Sequence, residues 1–187
     1  MTKKIVIVGM ASACEETPFD AEVWCVNYAY LHQKNANKLF FLDDIGYFSE
    51  LFVKQVNALD IPVFCQRKYD QLHNAVEYPI GDILDHFGVT YFTSTIAYMM
   101  AYAIYIGVEE IILWDILSGD ENSEYMQQKA CLDFWCGVAI GRGITIVKTP
   151  ESKILEPVGG QHNLYGYKPS MDNFVTKLMK AGLEPVL

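Results

Sequence analysis

The residues with chemical potential lie in short polar clusters, each directly behind an apolar run. Gly9-Met10-Ala11-Ser12-Ala13-Cys14 follows Ile5-Val6-Ile7-Val8. Small residues there let backbone N–H groups approach a phosphate or ribose, or make a tight turn. Asn27 closes Val23-Trp24-Cys25-Val26, and its amide could read a base or ribose or satisfy its own turn. Asp43 and Asp44 follow Leu39-Phe40-Phe41-Leu42; they could hold a magnesium ion (Mg2+) or a ribose, or cap a helix. Thr93 and Ser94 precede an uncharged run from Ile96 to Ile106, where two hydroxyls and first-turn amides make an anion site or a plain N-cap. Asp115 and Asp120 form a second acidic candidate or a solvated loop. Tyr125, Gln127, Gln128 and Lys129 open the next helical stretch and Arg142 closes it, so either cation could face a phosphate or lie exposed. His162, in Gln161-His162-Asn163, could act as a base or sit on the surface.

The elements that must position these groups alternate. Continuous apolar runs at Ile5–Val8, Val23–Val26, Leu39–Leu42, Ile61–Cys65, Ile111–Trp114 and Ile144–Val147 predict strands buried on both faces of a parallel sheet. Helical spacing is expected from Tyr28 to Lys34, Phe48 to Leu59, Ile80 to Phe87, Ile96 to Ile106, Ser123 to Ile140 and Met171 to Ala181. Gln66 to Pro79 has no clean period and reads as an excursion beside the sheet. Strands alternating with helices predict an α/β fold, a three-layer Rossmann-like sandwich with a mostly parallel central sheet, over residues 1–187 as a single nucleotide-binding domain. In such sheets ligands sit beyond the carboxyl ends of the strands, where strand order reverses. The polar clusters all fall there.

Composition narrows the functions. Of 187 residues, 51% are hydrophobic and 20% charged, a profile that excludes disorder. The net charge of −9 argues against a nucleic-acid partner. The sequence offers no membrane span and no signal-peptide core, so a cytoplasmic protein is expected. Five scattered cysteines read as reduced thiols, and neither they nor the four histidines have metal-site spacing. No G-x-G-x-x-G, G-x-S-x-G, Walker A or H-E-x-x-H motif occurs. Tyr98, Tyr102 and Tyr105 form an aromatic stripe that could be core or a homo-oligomer interface.

Several segments together carry a resemblance: Gly9 through Asp20, Glu22 to Asn27, Tyr91 to Met99, Gly107 to Trp114, Gly141 to Ile144 and Leu164 to Tyr167. Over most of its length the chain resembles a small Rossmann-like family of bacteriophage proteins, which implies a host-cytoplasm setting. More distantly, the Thr93-Ser94 helix and the Ile111 strand look like the core of a superfamily holding 6-hydroxymethylpterin pyrophosphokinase-like proteins, motility-accessory-factor glycosyltransferases and bacterial CMP-sialic-acid sialyltransferases. That resemblance implies a nucleotide or nucleotide-sugar ligand. Gly9, Met10, Ala11, Ser12 and Asn27 would contact it, Thr93 and Ser94 would hold an acidic or phosphate group of the donor, Tyr125 would meet the leaving phosphate, and His162 would be the base. Where relatives carry G-x-D after the strand, this chain reads Asp115-Ile116-Leu117, so the usual acid is lost or displaced. The expected activity is transfer of a glycosyl or phosphoryl group from a nucleotide donor. The alternatives are a non-catalytic phage accessory protein that sequesters a nucleotide signal, and a structural assembly factor.

Overall fold

The computed structural model describes residues 3–10, 16–116 and 123–157. The helix expected from Met171 to Ala181 lies outside them. Seven strands form one sheet in the order β5-β4-β3-β2-β1-β6-β7: β1 (Lys4–Val8), β2 (Glu22–Val26), β3 (Ala36–Phe40), β4 (Val63–Cys65), β5 (Ala75–Glu77), β6 (Glu110–Trp114) and β7 (Thr145–Lys148). All six pairings are parallel. With flanking helices this is the α/β Rossmann-like fold. The chain runs outward from β1 to β5, then crosses back to place β6 on the other side of β1. Strand order therefore reverses at the β1–β6 boundary.

The crossover consists of α2 (Ile80–Phe87) and α3 (Thr95–Tyr105); α1 (Glu50–Asn57) joins β3 to β4, and α4 (Ser123–Gly141) joins β6 to β7. In parallel register, Trp24, Phe40 and Phe64 stand on one face of the sheet. Tyr102 of α3 packs on all three, with ring centroids 5.7, 6.1 and 5.1 Å away. The other face carries Phe41, against Phe48 and Phe52. Aromatic pairs of this kind add about 0.5–1.5 kcal/mol each beyond burial, so the sheet is clamped between α3 and α1.

Three expectations change. Gln66 to Pro79 contains β5, an edge strand paired in parallel with β4. The stretch expected as a helix from Tyr28 is a 3-10 turn, Asn27–His32, that starts directly after the last residue of β2. It is too short for an α-helix because Ala36 must already pair with Val23. The tyrosine stripe divides: Tyr98 and Tyr102 pack into the core, burial raises both hydroxyl pKa values, and Tyr105 is left partly exposed against His86. Tyr98 and Tyr102 therefore take the core reading of the stripe, and Tyr105 does not.

Candidate active site

Gly9 fixes the floor of the site. Its N–H donates to the Trp114 carbonyl at 2.9 Å, extending the β1–β6 ladder by one bond. A Cβ built at Gly9 would lie 2.5 Å from the Asp115 carbonyl oxygen and 2.8 Å from Ile116 Cγ1. Glycine is required here because the end of β6 crosses over it. The expected backbone cradle is thus also a strand junction, and Met10 beyond it is exposed.

Asn27 and Asp115 stand on either side of this junction, at the ends of β2 and β6, with left-handed φ values of 46° and 55°. Asn and Asp tolerate that conformation better than other side-chained residues. It turns each chain sharply at the rim, so the side chain is set by a bend and not by the strand's pleat. Asn27 Nδ2 reaches Asp43 Oδ2 at 3.5 Å. A carboxylate only accepts, so Asp43 fixes the amide nitrogen toward itself and the oxygen away. That oxygen is buried, with no donor among the described residues. An unsatisfied buried acceptor costs about 1–3 kcal/mol until a donor arrives. Asp44 has the capping role, accepting from the Gly46 N–H at 2.8 Å.

Ser94 is the N-cap of α3, its Oγ accepting from the Ala97 N–H at 3.4 Å. Thr93 Oγ1 donates to the Gln127 carbonyl at 3.3 Å, which ties the entry of α3 to the first turns of α4. There Glu124, Tyr125 and Gln128 turn toward the same space, with Gln128 Nε2 donating to Glu124 Oε1 at 3.2 Å.

These groups enclose one open cleft of about 640 Å³. The structure brings Gly9, Met10, Asn27, Asp43, Thr93, Ser94, Asp115 and Tyr125 to it. Ala11, Ser12, Asp120 and His162 lie outside the described residues. Sequence reasoning does not single out Val26, Thr95, Ile96, Ile116 and Glu124, and notes Gln128 only as part of a helix start; all six line the cleft. The signal for Glu124 and Gln128 is their four-residue spacing around Tyr125, which places them on neighbouring turns of one helix.

Neither proposed cation reaches the cleft. Lys129 is buried and bonded to Asp133. Arg142 lies at the far end of α4, where it bonds His86 at 2.8 Å and stacks 4.7 Å from the Phe87 ring. The described lining contains three carboxylates, Asp43, Asp115 and Glu124, and no Lys, Arg or His. Positive potential comes from the first turns of α3 and α4, whose amides and macrodipoles open toward the cleft. Among the described residues no three His, Cys, Asp or Glu side chains are grouped to hold a metal ion. Nucleophilic cysteine chemistry has no support among the thiols with resolved shifts: burial pushes Cys25 and Cys136 up to about 12 and Cys65 to about 11, leaving them protonated near neutrality.

No protein-family model and no curated protein matches the chain. Solved structures do. The sialyltransferase CST-II in complex with a trisaccharide acceptor and CMP gives a TM-score of 0.51 at 18% identity, with 87% of each chain covered. A CST-II variant in complex with CMP gives 0.50 at 18% identity, covering 87% of this chain and 88% of that one. The sialyltransferase CstII from Campylobacter jejuni, in complex with the substrate analogue cytidine-5'-monophosphate, gives 0.49 at 18% identity and 84% of each chain. At these identities the likeness is one of fold. No helix among the described residues is long and apolar enough to cross a membrane.

Proposed function

We propose that this chain binds a nucleotide-sugar, with a cytidine monophosphate donor as the leading candidate, and transfers its glycosyl group in the cleft at the β1–β6 boundary. The observation that carries this reading is the convergence of eight expected contact residues, from six separate segments, on one cleft at the strand-order reversal. The fold shared with CMP-bound sialyltransferases supports the donor class. The Asn27 amide oxygen accepts from a ribose hydroxyl or a base amino group, and Asp43 and the Gly9–Met10 backbone hold the nucleoside. Ser94, Thr93 and the first turn of α3 receive the acidic group of the donor. When the acceptor hydroxyl oxygen bonds the anomeric carbon and the carbon–oxygen bond to phosphate breaks, Tyr125 donates to the departing phosphate. His162 takes the acceptor's proton. Dipoles and hydroxyls can stabilise that leaving group without a basic lining. A magnesium ion would enter with the ligand's phosphate, beside Asp43 or Asp115, and no step depends on it. Residues 1–187 act as one domain, in a cytoplasm that keeps the thiols reduced.

Calorimetric titration with CMP, UMP, AMP and CDP, together with turnover of CMP-sugars, tests the reading. The expected result is saturable CMP binding that Asn27→Asp weakens at least about tenfold, with an unchanged circular dichroism spectrum. Aspartate keeps the left-handed turn but sets a second carboxylate beside Asp43. Absence of both CMP binding and sugar turnover in the wild-type chain rejects the proposal. CMP binding without turnover of any donor would favour the sequestering alternative.

A further inference from the structure

Residues 89–93 connect α2 to α3, and among the described residues their backbone makes no hydrogen bond to other backbone. The segment starts behind Gly88, whose left-handed φ of 63° closes α2, and runs into Ser94, the cap of α3. It carries Thr93 to the cleft, so whatever holds it also sets where the two hydroxyls stand. Its hydrogen bonds all run to one helix. The Tyr91 carbonyl accepts from Trp135 Nε1 at 2.9 Å and from Cys131 Sγ at 3.3 Å. Thr93 Oγ1 donates to the Gln127 carbonyl. Phe92 stacks between Tyr98 and Trp135, with centroids 4.5 and 5.0 Å away.

Helical spacing explains why α4 can hold the segment and the ligand together. Glu124, Gln128, Cys131 and Trp135 follow one another at steps of four, three and four, which puts them on one stripe of the helix. The first two line the cleft, and the last two are fully buried. The stripe that faces the cleft therefore continues into the stripe that grips the segment. Trp135 lies ten residues beyond Tyr125, about 15 Å along the helix axis. Residues 91–94 bring its influence back to the cleft.

We infer that Trp135 is a positioning residue for the sugar half of the ligand. Through the Tyr91 carbonyl it holds residues 89–93 against α4, and so fixes the separation of Thr93 and Ser94 from Tyr125. These are the two ends between which the donor's acidic group and its departing phosphate lie. The inference rests on the nucleotide-sugar reading for what those hydroxyls hold. Gly9, Asn27 and Asp43, which hold the nucleoside in that reading, stand on other segments, so Trp135 governs preference for the acid-bearing sugar and not affinity for the nucleotide.

Trp135→Phe keeps an aromatic ring beside Phe92 and removes the N–H. Calorimetric titration should show affinity for CMP-sialic acid lowered about fivefold, with affinity for CMP held within about twofold. Amide exchange adds a readout that needs no ligand. The Ala97 and Tyr98 N–H groups bond the Ser94 carbonyl at 3.0 and 3.5 Å, and relative to β1 both should exchange at least about fivefold faster in the variant. Phe87→Leu is the control: Phe87 stands edge-on to Trp135, centroids 5.0 Å apart, and has no hydrogen bond to the segment. It should lower the melting temperature and leave the ligand preference and the relative exchange rates in place. Equal loss of both ligands in Trp135→Phe, or a shift of preference just as large in Phe87→Leu, reduces Trp135 to packing and overturns the inference. If the wild-type chain binds neither ligand, the nucleotide-sugar reading fails separately; faster exchange at Ala97 and Tyr98 then still supports the positioning, and unchanged exchange overturns it. Cys131→Ala removes only the thiol bond to Tyr91 and introduces no new bulk. Should Trp135→Phe not fold, Cys131→Ala decides: smaller shifts in the same direction support the inference, and wild-type values in both readouts overturn it.

Discussion

Asn27 and Asp115 adopt a conformation that costs a residue with a side chain about 1–2 kcal/mol, and they do so on either side of a glycine that admits no Cβ. Strain of this kind persists where the surroundings impose it, and it gathers at binding sites. Gly9 connects the two. Gly9→Ala must displace the Asp115 backbone or the Ile116 side chain, so it should destabilise the fold by about 1–3 kcal/mol and deform the cleft. Urea unfolding followed by CMP titration of the folded variant would show both; an unchanged midpoint would refute the crowding argument. The sequence discloses these positions because a polar residue ending an apolar run is visible without coordinates. It does not disclose their partners. The atoms that demand glycine at position 9 belong to residues 115 and 116, and the orientation of the Asn27 amide is set by Asp43. Such pairings follow from strand order, which local pattern does not encode.

Among the elements, α3 is the most fully specified by its own residues: a hydroxyl cap, an uncharged body and a glycine just past its end. Ser94→Ala removes the cap's bond to Ala97 and should cost about 1 kcal/mol of stability. If Ser94 also holds the donor's acidic group, the same substitution should lower affinity for a CMP-sugar more than for CMP. Equal loss for both ligands would limit Ser94 to capping. The strands β1, β2 and β6 are as readable as α3 because each is a continuous buried run in the middle of the sheet. β5 is not, since Ala75-Val76-Glu77 is three residues long, partly exposed and at the edge. Only its pairing with β4 makes it a strand. The 3-10 turn after β2 is hidden for a related reason: its apolar spacing suits an α-helix, but the return into β3 leaves no room for one.

Across the whole molecule, the buried thiols predict an alkaline weakness. Cys25, Cys65 and Cys136 have pKa values raised by burial above the ordinary 9.0. The unfolded chain therefore loses these protons first. Stability is intact below about pH 9 and falls as pH rises toward 11, by up to about 1.4 kcal/mol per pH unit for each thiol. Denaturant midpoints measured across that range should slope downward, and Cys25→Ala should flatten the slope; a variant with the wild-type slope would contradict this account. The parallel order of the sheet has a further consequence, for biosynthesis. Among the seven strands the interior strand β1 leaves the ribosome before the others, yet one of its two neighbours, β6, is translated only after β2 to β5. A nascent chain stalled before Glu110 holds β1 with one edge unpaired and the Asp115 and α4 side of the cleft missing. Long-range parallel pairing is slow and exposes such edges, so the cleft is complete only once α4 has emerged.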